Sequence, residues 1–208
     1  AGKISLHYSL DHSIDFEEVI LLPEPVSDKK LKEKEWEIER CLNALHLIGG
    51  ISYYKTCLPK TIETPELTLT KSEAKFWNTV YERGLGEFFY RNNIDFRGLI
   101  NFPVQKQAED SERLNRLRRK STLPKPLGQQ HILVPIGGGK DSLVTIELLK
   151  KTGAKITLLR MGSHPLITEL AHTAGLPMLT VKRSISGNLF DLNEQGALNG
   201  HVPVTAYL

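Results

Sequence analysis

Cysteine is scarce in this chain of 208 residues, which carries only Cys41 and Cys57. Two thiols cannot build a disulfide framework, and so few fit a reducing, cytoplasmic setting. An excess of either charge is also missing. The 27 Lys and Arg nearly balance the 24 Asp and Glu, leaving +3, so composition implies no nucleic-acid or membrane partner. No apolar run approaches the roughly 18 residues a membrane helix needs, and no signal peptide is visible. What remains is ordinary for a globular protein, 40% hydrophobic and 25% charged. The length suits one large domain or two small ones.

One stretch organises the rest, His131 to Lys151, HILVPIGGGKDSLVTIELLKK. Ile132 to Ile136 is a short apolar run that reads as a buried parallel strand. Gly137, Gly138 and Gly139 follow, then Lys140, Asp141 and Ser142. From Leu143 the apolar positions Leu143, Ile146 and Leu149 recur at helical spacing, widened by Val144 and Leu148. Strand, glycine turn and helix start make an anion site, because glycines let successive N–H groups turn inward and the helix adds orphan donors. The dipole contributes only about 0.3–1 kcal/mol. Hydrogen bonds to a charged group contribute roughly 1.5–3 kcal/mol each, so converging N–H donors dominate, and phosphate or pyrophosphate is the expected guest.

The Walker A pattern fails here, since its first glycine falls on Val134 and the residue after Lys140 is Asp141. The dinucleotide fingerprint is weak, because its third small residue falls on Ser142. Gly137 to Ser142 resembles instead the PP-loop of ATP pyrophosphatases, Ser-Gly-Gly-x-Asp-Ser. Gly138, Gly139, Asp141 and Ser142 match, while Gly137 replaces the usual Ser and removes one hydroxyl from the cradle. The resemblance implies ATP cleaved between the α and β phosphates, with adenylation of a substrate oxygen.

Before this stretch, Lys3–Tyr8 and Glu17–Leu22 read as strands with Asp11 to Ser13 in the turn. A charged helix opens at Ser27-Asp28 and runs to about Leu47, with Gly49-Gly50 closing it. Ile51 to Leu58 reads as another strand before Pro59. Thr70 with Glu73 is a capping box for a helix that carries Phe76, Trp77, Val80 and Tyr81 to a break at Gly84-Leu85-Gly86. An aromatic segment with a polar rim, Glu87 to Asn93, comes next. Arg113 to Lys120 is a basic cluster followed by Pro124 and Pro126, a solvated linker or a contact for substrate phosphates.

Beyond the glycine loop, Gly153 ends the helix and Lys155–Leu159 is a second strand, completing a right-handed βαβ unit. Arg160 and Met161 stand at its carboxyl end, where α/β sheets bind ligands. In PP-loop proteins adenine and ribose lie there. Leu166 to Ala174 is a short helix capped by Gly175, and Met178–Val181 a third strand. The expected architecture is α/β: an N-terminal α+β domain (1–104), a basic, Pro-containing linker (105–128), and the first part of a parallel-sheet, adenine nucleotide alpha hydrolase-like PP-loop domain (129–208). That sheet has fewer strands than usual, and Thr205 to Leu208 reads as a new helix starting, so a longer protein is expected.

Four segments carry a closer resemblance: Gly137 to Ser142, His46 to Lys55, Gly84 to Asn92, and Asn199 to Thr205. Together they resemble the UDP-N-acetylmuramoyl-L-alanyl-L-glutamate epimerase family of peptidoglycan biosynthesis, over most of the chain from about residue 40. The resemblance implies ATP-dependent activation of the terminal L-glutamate of the UDP-N-acetylmuramoyl dipeptide, inversion of its α-carbon, and release of AMP and pyrophosphate, with Mg2+ required. Gly137, Gly138, Gly139, Lys140, Asp141, Ser142 and backbone around Arg160 and Met161 would hold ATP, with Asp141 on magnesium. Lys140, Asp141 and His201 are catalytic candidates, and His201 reads equally as a structural histidine. Lys55, Glu87, Tyr90, Arg91 and Asn92 are candidates to grip the substrate. Cys41 and Cys57 invite comparison with two-thiol racemases, against a plain core role. Two other readings stand open: another PP-loop enzyme (an amidotransferase-type synthetase or a sulfur-inserting tRNA enzyme), or a nucleotide-binding module without catalysis. A sulfur-inserting enzyme would want cysteines after the loop, and none lies between Gly137 and Leu208.

Overall fold

The computed structural model describes residues 2–104 and 126–200. Most of the basic segment at 105–128, and everything from His201 onward, lies outside the described residues. The elements run β1 (Lys3–Leu10), β2 (Ile14–Leu21), α1 (Asp28–Glu33), α2 (Glu35–Gly49), α3 (Ile51–Tyr54), α4 (Lys71–Gly84), α5 (Gly86–Arg91), β3 (His131–Pro135), α6 (Lys140–Lys150), β4 (Lys155–Met161), α7 (Pro165–Ala174), β5 (Met178–Ser184) and α8 (Gly187–Glu194). The fold is α/β around a mixed five-stranded sheet ordered β1-β2-β5-β4-β3.

Two compact units share the chain, and neither is one continuous stretch. The described part of the first comprises 2–5, 18–27 and 126–184, and that of the second 6–17, 28–104 and 185–200.

In the first unit β3, β4 and β5 are parallel, with His131 opposite Lys155 and Leu158 opposite Met178. Their inner positions are β-branched or aliphatic, as strands covered by crossover helices require. Val134, Ile136, Ile156 and Leu158 pack with Ile146 of α6 and Ile167 and Ala171 of α7. Gly175 caps α7 in the left-handed region at φ 66°, where a Cβ is penalised.

The first hairpin joins this sheet rather than standing apart. β2 pairs antiparallel with β5, Val19 opposite Ser184 and Leu21 opposite Lys182. Glu18 is wholly buried and accepts two bonds from Arg183, at 2.6 Å from Nε and 2.8 Å from Nη2. A bidentate pair of this kind fixes register as well as charge.

The second unit is helical and aromatic. Leu47, Ile51, Tyr54, Trp77, Tyr81, Leu85, Phe88, Phe89 and Phe102 form its main core. The capping box is present, Thr70 accepting from Glu73 N–H while the Glu73 carboxylate accepts from Thr70 N–H at 3.0 Å. Two expectations are corrected here. The charged helix is broken at Lys34, whose ψ of 21° leaves the helical region, into α1 and α2. The expected strand at Ile51 to Leu58 is α3 followed by a turn. α2 does end at Gly49 with Gly50 as its C-cap, and packing adds a second reason for both glycines. A Cβ on Gly49 would collide with the Tyr8 hydroxyl, and one on Gly50 would sit 2.9 Å from the Tyr81 hydroxyl. Close packing explains these glycines, and Gly50 stays right-handed helical at φ −55°, ψ −24°. Burial of Ile51, Tyr53 and Tyr54 then outweighs their strand propensity.

Candidate functional site

In the first unit the glycine loop leaves the carboxyl end of β3 and enters α6. Ile136 N–H still donates to Leu159 O at 2.8 Å, so the loop starts where the sheet ladder stops. Gly138 has φ +82°, and Gly139 caps α6 with extended backbone and no side-chain capping bond. The first helical N–H groups are therefore left to solvent or a ligand. A Cβ on Gly137 or Gly139 would meet nothing within 4 Å. Nothing in the fold demands glycine at those two positions, whereas a closely approaching guest would. Gly138 differs, since its positive φ alone calls for glycine.

Lys140 and Asp141 are exposed in the first turn of α6. The Ser142 hydroxyl donates to Gly139 O at 2.8 Å, which braces the turn. On the neighbouring parallel strand, Arg160 and Met161 reach the same carboxyl edge, with Gly162 at φ +71° just beyond. The structure thus brings the loop and the Arg160–Met161 segment to one edge of one sheet. Arg160 has its side chain engaged: Nε donates to Thr180 Oγ1 at 3.0 Å and Nη1 to Thr168 Oγ1 at 2.6 Å. Backbone rather than guanidinium is what this segment offers at the edge. Among the described residues no group of three or more His, Cys, Asp or Glu side chains could hold a metal. Asp141 alone suits magnesium only in the manner of phosphate-bound magnesium, with one carboxylate from the protein and the rest from phosphate and water.

The other candidates belong to the second unit. Glu87, Tyr90 and Arg91 lie on the outer side of α5, whose inner side buries Phe88 and Phe89. Tyr90 is 85% exposed. Glu87 and Arg91 pair with each other at 3.0 Å at i, i+4, an exposed bridge of small stability value. Asn92 Nδ2 donates to Phe88 O at 2.8 Å and so ends the helix. Lys55 is apart in character, only 8% exposed, its Nζ donating to Gly200 O at 2.6 Å and to Asn199 Oδ1 at 3.4 Å. Burial pulls its pKa down. Cys41 and Cys57 are both exposed rather than core residues. Burial of the sulfur raises the Cys57 pKa, Asp11 adds to that, and a hydrogen bond with Thr56 opposes it. The net direction disfavours a thiolate.

A family model described as the MurL N-terminal domain matches residues 1–208. The chain belongs to the MurL N-terminal domain family. Three relatives carry the name UDP-N-acetyl-alpha-D-muramoyl-L-alanyl-L-glutamate epimerase. The one from Xanthomonas oryzae pv. oryzae is 42% identical over 169 residues, 81% of this chain and 35% of the relative. That from Salinispora tropica is 35% identical over 208 residues, 99% of this chain and 43% of the relative. That from a Micromonospora strain is 33% identical over 211 residues, covering 99% and 44%. This MurL N-terminal domain thus spans well under half the length of the curated relatives it matches. No solved structure matches it. Among its described residues no helix is long and apolar enough to cross a membrane.

Sequence reasoning passed over the partners that fix this domain's candidate residues. Thr168 and Thr180 hold Arg160, and Asn199 with Gly200 holds Lys55. The lone hydroxyls gave no signal, but Asn199-Gly200 is a turn dipeptide whose placement opposite a buried cation only the fold reveals. His201, the third catalytic candidate, lies outside the described residues.

Proposed function

We propose that the whole protein is an ATP-dependent epimerase. It would convert the terminal L-glutamate of UDP-N-acetylmuramoyl-L-alanyl-L-glutamate to D-glutamate through an acyl-adenylate, releasing AMP and pyrophosphate, in the cytoplasm. The observation that carries the nucleotide half of this reading is the space over Gly137 and Gly139, glycines that the fold itself does not require. The substrate half rests on the names of the three relatives. The β3–loop–α6 arrangement with Asp141 and Ser142 supports a PP-loop reading of the first unit, of which these residues would form the nucleotide end.

The chemistry demands activation. Removing the α-proton of a free carboxylate would give an enolate with two negative charges on one carboxyl group, and ATP, when bound, supplies the adenylyl group that turns this carboxylate into an acyl phosphate whose carbonyl is uncharged. Against that background each side chain has a task. The N–H groups of Gly138, Gly139 and Lys140 would cradle phosphate oxygens. The Lys140 ammonium would offset phosphate charge and the developing oxyanion. Asp141 would hold magnesium, directly or through water. Ser142 would exchange its bond to Gly139 O for one to pyrophosphate. Arg160 and Met161 would present backbone to adenine. Glu87, Tyr90, Arg91 and Asn92 would meet the dipeptide or its UDP-sugar, and His201 would move a proton.

The test uses the whole protein with the UDP-linked L-alanyl-L-glutamate precursor, ATP and magnesium. D-Glutamate and AMP should accumulate together, and both should fall in Asp141→Asn. AMP without inversion would retain adenylation and discard the epimerase. No AMP at all would discard both.

A further inference from the structure

Two crossover helices meet the glycine loop at the carboxyl edge of the parallel strands. α6 continues from the loop, and α7 stands beside it. A Cβ built on Gly138 would lie 3.6 Å from Ile167 Cγ1 and 3.8 Å from Leu166 Cδ2, so the first turn of α7 flanks the loop at its left-handed residue. Ile167 is 9% exposed and belongs to the core of this unit, whereas Leu166 is 48% exposed. At about 100° per residue, Leu166 and Thr168 point roughly 200° apart around the helix. One flank of α7 therefore gives Thr168 to Arg160, its Oγ1 accepting from Nη1 at 2.6 Å, and the other gives Leu166 to Gly138.

The residue type at this place is informative. A helix start favours hydroxyl or acidic side chains, which meet the free N–H groups and the positive end of the dipole. In α7 the N-cap His164 makes no side-chain capping bond, Pro165 takes the first helical position, and the first turn holds no acidic residue. The turn beside the loop is apolar and carries no negative charge to repel a phosphate. Local helix chemistry does not account for a half-exposed leucine there, and a guest on the loop does. Position agrees with residue type. Leu166 belongs to the segment that runs on from Met161 and touches Gly138. A nucleotide with phosphates on the loop and its base at the Arg160–Met161 backbone has to cross the same ground.

We infer that Leu166 is a nucleotide-binding residue, the apolar wall on which the ribose and adenine of ATP pack while the loop holds the phosphates. This rests on the ATP-dependent reading proposed above. The wall takes apolar surface of sugar and base out of water and leaves the phosphates to the N–H donors.

The test titrates ATP and, separately, inorganic pyrophosphate into the whole protein by calorimetry with magnesium present. Leu166→Ala should raise the Kd for ATP about 5- to 20-fold, the loss expected when most of a leucine's apolar contact is removed, and leave that for pyrophosphate unchanged. Leu166→Met, which restores an apolar side chain of similar size, should bind ATP almost as the unsubstituted protein does. Val144→Ala and Leu148→Ala, at positions 57% and 58% exposed on α6, should leave both affinities unchanged and so serve as controls for loss of an exposed apolar group. If Leu166→Ala does not fold, Leu166→Gln keeps the length, removes the apolar tip and should show the same split. Unchanged ATP affinity in the folded variants would overturn the wall. Equal weakening of ATP and pyrophosphate would also overturn it, because Leu166 would then act through the shape of the loop. An unsubstituted protein that binds neither ligand would refute the nucleotide half of the proposed function and this inference with it, whereas one that binds both while Leu166→Ala changes nothing would refute the wall alone.

Discussion

Gly137→Ala separates a glycine kept for folding from one kept for a ligand. A Cβ there meets nothing within 4 Å and no positive φ is demanded, so the fold has no objection to it. Replacing glycine at a permissive site restricts the unfolded chain and stabilises by about 0.4–1 kcal/mol. Gly138→Ala is the contrast, since φ +82° places a Cβ in the left-handed region at a cost of roughly 1–2 kcal/mol. If the loop cradles phosphate, the methyl of Gly137→Ala occupies space the guest needs and removes at least one hydrogen bond to a charged group, about 1.5–3 kcal/mol. That converts to a Kd for ATP raised about 10- to 100-fold. Urea denaturation and calorimetric ATP titration on the whole protein read the two effects separately. Gly137→Ala should keep or gain stability while losing affinity, and Gly138→Ala should lose both. Unchanged ATP affinity in a folded Gly137→Ala would refute the phosphate cradle.

Other expectations follow from the same structure. Arg183→Met leaves the wholly buried Glu18 carboxylate without its bidentate partner, and equilibrium denaturation should show a loss of about 3–5 kcal/mol. The double variant Glu18→Leu/Arg183→Met should recover much of that loss. Thr70→Ala removes the side-chain half of the capping box of α4, leaving the residue-70 N–H to the Glu73 carboxylate, and should cost about 1 kcal/mol in the same assay. Burial, with Cys57 adding to it, raises the Tyr54 pKa from 10.0 to about 12. Between those values the folded state holds the proton that the unfolded state releases, so stability should fall as pH rises through that window. Tyr54→Phe should flatten that slope in denaturation curves taken across the window.

What was legible in the sequence was local. The strand, glycine turn and helix from His131 to Lys150 follow from residues within one βα unit, and the Thr70–Glu73 cap from four consecutive positions. The Lys3–Leu22 hairpin was legible as a hairpin, but its place beside β5 depends on Glu18 meeting Arg183 across 165 residues, which no local pattern announces. Gly49 and Gly50 close α2 as read, but their crowding by the hydroxyls of Tyr8 and Tyr81 is visible in no local pattern. Lys55 is the sharpest case in the candidate site. Its charge beside aromatic residues reads as a grip on substrate, and the hydrogen-bond partners that the fold gives it stand 144 and 145 positions away. Arg160 was placed correctly at its strand end, but only the fold shows its guanidinium tied to Thr168 and Thr180.

The most direct test of the proposed chemistry runs the whole protein in deuterated water with ATP, magnesium and the UDP-linked L-alanyl-L-glutamate precursor. Equal amounts of AMP and D-glutamate, with solvent deuterium at the glutamate α-carbon, are the predicted result. D-Glutamate formed without AMP, or AMP formed with the α-hydrogen and its handedness retained, would contradict it.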